Sequence, residues 1–494
     1  VTDRTASADD ELSLLDACAT AAAVQAGEVS VREVVGAAVQ RAERLDPALG
    51  AVVLADYEQA MRTASRHDAA HRNGGGSANA PAPFAGVPMY VKDNADVAGL
   101  PTRHGSDAMA GARPARRTAE LVGQMFDMGM VSLGKSTLPE FGFTASCERS
   151  DGTATHNPWN LGHSAGGSSS GSAALVAAGV VPVAHGVDGG GSIRIPAACC
   201  GLVGMKATRG RLVLSHDSEQ MPVDILGEGV LTRSVRDTAL FLAEAERRHR
   251  NPSLPALGHV TEALHRPLRI GVVVDSPTGV QLDVPTREAL DRSMALLEGL
   301  GHRVEPLEIP DGELFAEDFT HYWSMMAFSV ALAGRHIYDP SFDRSRLSAF
   351  SVGLAKRFRG AMWRTPANLV RMSRASSRYR SVFDDHDVVL SPTVAKVAPP
   401  LGHLASDLRY EVLMGRIEQW VSFTPLANAT GIPSVSLPLG HDDDTGLPVG
   451  VLFNAAEGQD RLLLQLALQL EEAQPFRSLL GRGPGAGTDG SHGT

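Results

Sequence analysis

Between residues 162 and 195 the chain spends glycine and serine at a density that few folds can use. Two clusters, Gly166-Gly167-Ser168-Ser169-Ser170-Gly171 and Gly189-Gly190-Gly191-Ser192, flank a run of small and apolar residues that reads as a helix followed by a buried strand. Glycine raises the entropy cost of ordering a backbone and weakens helix and strand interiors. Such density therefore implies unusual dihedrals or a close approach of the backbone to another group. Bare backbone N–H groups beside a serine hydroxyl can also receive a developing oxyanion.

That stretch sits within an alternation of helical and apolar-strand segments that continues to Val213, the pattern of an α/β layer with a parallel or mixed sheet. Upstream, the first ten residues read as mobile, residues 11–26 as one helix, and Ser30-Val31-Arg32-Glu33 as a capping box opening a second helix to about Leu45. Residues 56–73 read as a third helix and 74–83 as a loop. Downstream, strands are expected at 268–273, 302–307, 387–393, 434–438 and 449–453, those at 387 and 434 each stopping at a proline. Helices are expected at 286–300 and 460–473, with 312–383 mostly helical. No repeat or interior linker divides the chain. The expectation is one large α/β domain over residues 1–480, a central mixed β-sheet covered by helices on both faces, followed by a disordered low-complexity tail, 481–494.

The formal net charge of −11 argues against a nucleic-acid partner, and Lys and Arg read as scattered, with the densest cluster at 113–117. No apolar run is long enough to span a bilayer and no leader pattern opens the chain, so a cytoplasmic protein without a membrane partner is expected. Cys18, Cys147, Cys199 and Cys200 lack the spacing of a disulfide framework or a zinc site, and His104, His156, His163 and His185 lack ligand spacing. The run 441–444, His-Asp-Asp-Asp, reads as a solvated hairpin loop rather than a calcium site.

Lys92 ends an apolar strand. Burial there disfavours its charged form, and lowering its pKa to near 7 would take about 4 kcal/mol, within the range of buried lysines. Alone it would read as a lysine snorkelling from a strand end. With Ser168 and Ser192 it makes a possible proton relay, in which an uncharged lysine deprotonates one serine and that serine a second.

Taken together, Gly86-Val87-Pro88 with Lys92-Asp93, the 166–171 cluster and Asp188-Gly189-Gly190-Gly191-Ser192-Ile193-Arg194-Ile195-Pro196-Ala197 resemble the amidase signature family of Ser-Ser-Lys amide hydrolases. The resemblance is close over about 84–235 and traceable at Ser391-Pro392-Thr393, at 428–433 and at 446–450. It implies the amidase signature fold, Ser192 as nucleophile, Ser168 as a relay serine after a cis peptide bond, and Lys92 as base. It also implies an oxyanion hole from the N–H groups of Gly189, Gly190, Gly191 and Ser192, a small-molecule amide substrate, and no metal or organic cofactor. Asp188 and Arg194 are expected to pair beneath the nucleophile turn as structural support. Gly189 and Ala207 depart from the family's usual residues, neither in the triad.

The segments 156–162 and 182–186 are similar to bacterial amidases that include the hydrolase of the cyclic 6-aminohexanoate dimer. That likeness is one of scaffold. For the pocket, Phe143, Thr144, Ser146, Cys147, Trp323 and Met326 are the expected substrate-binding residues, lining an apolar acyl site; a homodimer is left open. Two other readings compete. Gly162-His163-Ser164-Ala165-Gly166 matches the GxSxG elbow of α/β-hydrolases, with Ser164 as nucleophile, although the preceding segment shows no strand pattern. The A subunit of the tRNA-dependent amidotransferase, which hydrolyses glutamine, shares the fold but typically reads Arg-Gln-Pro where this chain has Arg194-Ile195-Pro196.

Overall fold

The computed structural model describes residues 5–480 apart from 73–81, 150, 214, 216, 217, 219, 220, 277, 310 and 311. Among the described residues, thirteen strands lie in chain order as β1 (Val52–Ala55), β2 (Pro88–Lys92), β3 (Val131–Ser136), β4 (His156–Asn157), β5 (Asn160–Ser164), β6 (Val183–Asp188), β7 (Val203–Lys206), β8 (Gly227–Thr232), β9 (Arg269–Val272), β10 (Arg303–Pro306), β11 (Val388–Pro392), β12 (Ser434–Asp442) and β13 (Leu447–Ala455). Eleven of them form one sheet in the order β1-β3-β2-β6-β8-β7-β12-β13-β11-β9-β10, and β4 pairs with β5 apart from it.

The sheet is mixed for a topological reason. β2 runs parallel to both β3 and β6, and β9 parallel to β10 and β11, each joined through helical crossovers, whereas β12 and β13 form an antiparallel hairpin. One face feeds one large core; the other feeds a second large core and, at Val389 and Leu452, a smaller apolar cluster. Along β2, Met89 and Val91 enter one apolar cluster while Tyr90, between them, enters the other, as the two-residue period of a strand requires. Helices Val235–Arg248, Val284–Gly299 and Asp460–Ala473 contribute to the first cluster, and Val31–Leu49, Ser170–Ala177 and Arg194–Cys200 to the second. The protein is thus a single α/β domain, its large mixed sheet flanked by helices.

Several local expectations fare differently. The Ser30–Glu33 capping box forms in both directions. The expected helix over 11–26 is broken into Glu11–Leu14 and Ala17–Gln25, because Leu15 is extended and the Asp16 side chain caps the second piece by accepting from Ala19 N. Of the first ten residues, 1–4 lie outside the described residues, but Ala6 and Ala8 are buried, and their N–H groups donate to Pro158 O and Ala178 O. β12 does not stop at Pro438. It passes through the proline at a register shift between Leu437 and Gly440, the kind of irregularity at which a missing N–H is tolerated. A strand, β5, begins two residues before the GxSxG match and runs into it as far as Ser164, contrary to the sequence reading, but it pairs with β4 apart from the main sheet. Asp442 is a buried β12 residue rather than part of a solvated loop. Most of the loop expected at 74–83, and the tail from 481, lie outside the described residues.

Candidate active site

β2 and β6 are parallel neighbours, so Lys92 and Asp188, their last residues, emerge at the same edge, the carboxyl ends where open α/β sheets bind ligands. Lys92 is 1% exposed. Its Nζ donates to Ser168 Oγ at 2.8 Å and to Val187 O at 3.1 Å. Burial pulls its pKa down to about 7, with Asp188 and more distant acids opposing only part of the shift.

Two other buried lysines show what sets Lys92 apart. Lys135, on β3, meets the Asp93 carboxylate at 3.0 Å and donates to Thr102 at 3.1 Å, so it ties down the chain just past Lys92. Lys206 is pulled down to about 7 by burial and by Arg194, but its Nζ donates to Ala207 O and it does not line the cavity described below. Of the three, Lys92 alone meets a serine hydroxyl at the cavity wall.

Ser168 is delivered by the turn before the Ser170–Ala177 helix, and the Gly167–Ser168 peptide bond is cis. The segment opposite, 140–143, is pinned through the Glu140 carboxylate, which accepts from Ser106 Oγ at 2.7 Å, from Ser348 N and Oγ at 2.9 and 2.6 Å, and from Ser351 Oγ. Gly142, at φ +70°, brings this segment against the Ser168 hydroxyl.

The nucleophile turn is built around one buried ion pair. Arg194 Nε and Nη2 each meet the Asp188 carboxylate at 2.9 Å, and neither side chain is exposed. Burial alone would raise the Asp188 carboxyl, but Arg194 and the Asn428 amide outweigh it and hold the group well below the usual carboxylate range. Gly191 N and Ile193 N also donate to Asp188, at 2.7 and 3.1 Å, so the backbone wraps the carboxylate. Thr424 Oγ1 fastens the outside of the turn by donating to Gly190 O at 2.7 Å, and a Cβ at Gly191, φ +128°, would stand 2.3 Å from that same Oγ1. Only glycine fits there.

This wrapping revises the expected oxyanion hole. The Gly191 N–H is turned inward to Asp188 and is not available to a substrate. No hydrogen bond among the described residues engages the N–H groups of Gly189, Gly190 or Ser192, and all three residues line the cavity. Ser169 N donates to Ser192 O at 3.1 Å, which ties the two serine turns together. No hydrogen bond joins the Ser168 and Ser192 hydroxyls among the described residues, though both face the same cavity.

That cavity has a volume of about 630 Å³. Phe143, Thr144, Trp323 and Met326 line it, as do Phe319 and Ile195, and its wall is largely apolar. Ser146 and Cys147 do not. The chain turns inward after Ala145, so that Ser146 Oγ bonds Glu148 Oε1 at 2.8 Å and Ser164 Oγ at 2.6 Å, while Cys147 is buried and its thiol pushed up by burial. Ser164 is fully buried in that same polar knot, away from the cavity. Sequence reasoning assigned no role to Asn94, Thr424 or Asn428. Asn94 lines the cavity, its Oδ1 without a hydrogen-bond partner among the described residues, and its place two residues after Lys92 was the available signal. Nothing in the sequence singles out Thr424. Among the described residues no cluster of His, Cys, Asp or Glu could hold a metal ion, and no helix is long and apolar enough to cross a membrane.

The sequence pattern of the family described as Amidase matches residues 33–464. A protein of Mycobacterium tuberculosis (strain ATCC 25618 / H37Rv) named "Putative amidase AmiC" is 45% identical over 469 residues, 95% of this chain and 96% of its own. The structure of a 6-aminohexanoate cyclic dimer hydrolase complexed with substrate superposes with a TM-score of 0.83 at 31% identity, covering 94% of this chain and 98% of the other. A bacterial aryl acylamidase of the amidase signature family superposes with a TM-score of 0.82 at 27% identity, covering 94% and 96%. The chain belongs to the amidase family and is an amide-hydrolysing enzyme.

Proposed function

We propose that this amidase cleaves amides of apolar acyl groups through a seryl acyl-enzyme, with Ser192 as nucleophile, Ser168 as relay and Lys92 as base. The observation that carries the reading is the 2.8 Å contact from Lys92 Nζ to Ser168 Oγ at a site where burial brings the lysine pKa to about 7. At neutral pH Lys92 is then populated in its uncharged form, able to take a proton.

In the cycle, Ser192 Oγ bonds to the amide carbon as its proton passes to Ser168 Oγ and the Ser168 proton passes to Lys92 Nζ. The carbonyl oxygen becomes an oxyanion received by the N–H groups of Gly189, Gly190 and Ser192. The protonated lysine returns its proton through Ser168 to the amide nitrogen, and the C–N bond breaks. Water then attacks the ester by the same relay run again. The Ser192 hydroxyl must swing toward Ser168 for the first transfer, a tightening that substrate binding commonly brings about.

The apolar wall of Phe143, Trp323, Met326 and Ile195 supports an apolar acyl group. Ile195 in that wall supports a stand-alone amidase over a glutamine-hydrolysing subunit, since an apolar side chain offers no hydrogen bond to a glutamine head group. The hydrolase of the cyclic dimer and the aryl acylamidase have names consistent with such substrates. The test is kcat/KM of the purified chain alone on aryl and alkyl amides and on glutamine. Turnover of the apolar amides and none of glutamine is expected; a preference for glutamine would overturn the substrate class.

A further inference from the structure

The net charge of −11 conceals an uneven distribution. From Arg344 to Arg380 the chain carries ten Lys and Arg residues and no Asp or Glu. Their spacing, up to ten residues, made them read as scattered in the sequence. Helical periodicity sets three of them, Lys356, Arg359 and Arg374, beside exposed apolar residues. On the Ala349–Ala361 helix, Val352, Lys356 and Arg359 recur at four- and three-residue intervals, share one face and are exposed, while Phe350, Leu354 and Phe358 are buried on the other side. The next turn, Met362–Arg364, holds Trp363 at 80% exposure beside Met362 at 46%. On the Thr365–Ser373 helix the same intervals place Ala367, Val370 and Arg374 together, again exposed.

Among the described residues, carboxylates of the Gly312–Ile337 helix pair with Arg364 and Arg371 in this segment, through Glu317 and Asp318. Lys356, Arg359 and Arg374 stand in no ion pair among the described residues. Cations interleaved with exposed valine, methionine and tryptophan are the make-up of a surface that seats its apolar groups at a headgroup boundary and its charges on phosphates. A purely polyanionic partner such as RNA accounts for the cations but leaves the apolar stripe in water. The segment also reaches the cavity: Arg357, on a different side of the Ala349–Ala361 helix from Lys356 and Arg359, lines it, and Arg364 pairs with Glu317, another lining residue.

We propose that this face docks on a membrane surface of anionic lipids, with Trp363 at the interface, so that apolar amides dissolved in the bilayer meet the cavity mouth. The net charge that argued against an anionic partner is offset locally. The docking does not depend on the catalytic assignment and is measured without turnover.

The test is co-sedimentation of the full chain with phosphatidylcholine vesicles, with and without phosphatidylglycerol, together with tryptophan emission. Binding to the anionic vesicles is expected, with a blue shift that Trp363→Phe removes and with loss of binding at about 1 M salt, where screening is nearly complete. The double variant K356E/R359E should bind about tenfold more weakly or worse, and Trp363→Ala should also weaken binding; neither touches the cavity, so both should turn over a soluble amide as the parent does. Equal sedimentation with neutral and anionic vesicles, binding unaffected by charge reversal, or binding to an RNA oligonucleotide without binding to anionic vesicles would each overturn the proposal.

Discussion

Gly142 packs against the hydroxyl of Ser168 so closely that a Cβ at position 142 would stand 3.0 Å from Oγ. The backbone there is left-handed, at φ +70°, which a side chain raises by roughly 1–2 kcal/mol. Gly142→Ala should therefore displace the relay serine as well as strain the loop. We expect kcat/KM to fall by about a hundredfold while the melting temperature changes by only a few degrees, a misplacement effect rather than unfolding. Parent-like kinetics would show that the Ser168 hydroxyl need not be held.

The pH profile follows from Lys92. Its uncharged form is the base, and its pKa is about 7, so log kcat/KM should climb with unit slope below about pH 7 and level off above it. Lys92→Arg, which stays protonated, should be inactive throughout. A flat profile across the neutral region would remove the lysine from the proton path.

Stability carries the same signature with a worked-out sign. The folded pKa of Lys92, about 7, lies below the 10.5 of an ordinary lysine, so between these values the unfolded chain binds the extra proton. The group's burial cost is full below pH 7 and is relieved as pH rises toward 10.5. Lys92→Met should be inactive yet more stable than the parent at pH 6, by about 1–3 kcal/mol, with the gap closing at alkaline pH. Thermal melts at several pH values measure it, and a variant less stable at pH 6 would contradict the assignment.

Asp188 and Arg194 make a different prediction. Arg194→Met would leave a fully buried carboxylate unpaired and should cost about 3–5 kcal/mol, with activity lost as the nucleophile turn unwraps. Urea denaturation with parallel activity assays would reveal it; a fully stable, active variant would mean that the turn is held by its backbone alone.

Ser164 tests the rival reading. Its hydroxyl is fully buried and bonded to Ser146, so Ser164→Ala should lose about 0.5–1.5 kcal/mol of stability and keep its turnover. An inactive but folded variant would favour the elbow.

What the sequence made legible is what local chemistry dictates. An apolar strand ending in Lys92 and two Gly/Ser turns can be read from neighbouring residues, and the helix–strand alternation announces an α/β layer while leaving open whether its sheet is parallel or mixed. Contacts that depend on which way a side chain turns were not legible. Trp323 and Met326 reach the cavity, while Tyr322, one residue away, points into the core and donates to Val223 O. Ser146 and Cys147 follow the cavity wall in sequence but turn behind it. The Gly191 N–H looked free in a glycine run, and its carboxylate partner three residues earlier claims it. The exposed cations Lys356, Arg359 and Arg374 line up with apolar neighbours once the helices set their register.

The central claim is that the acyl group rests on Ser192 during turnover. Quenching the enzyme with acid while it hydrolyses an aryl amide, then mapping its peptides by mass, reads this directly. We predict the acyl mass on the peptide carrying Ser192, absent from Ser192→Ala; an acyl group on Ser164, or turnover by Ser192→Ala, would contradict it.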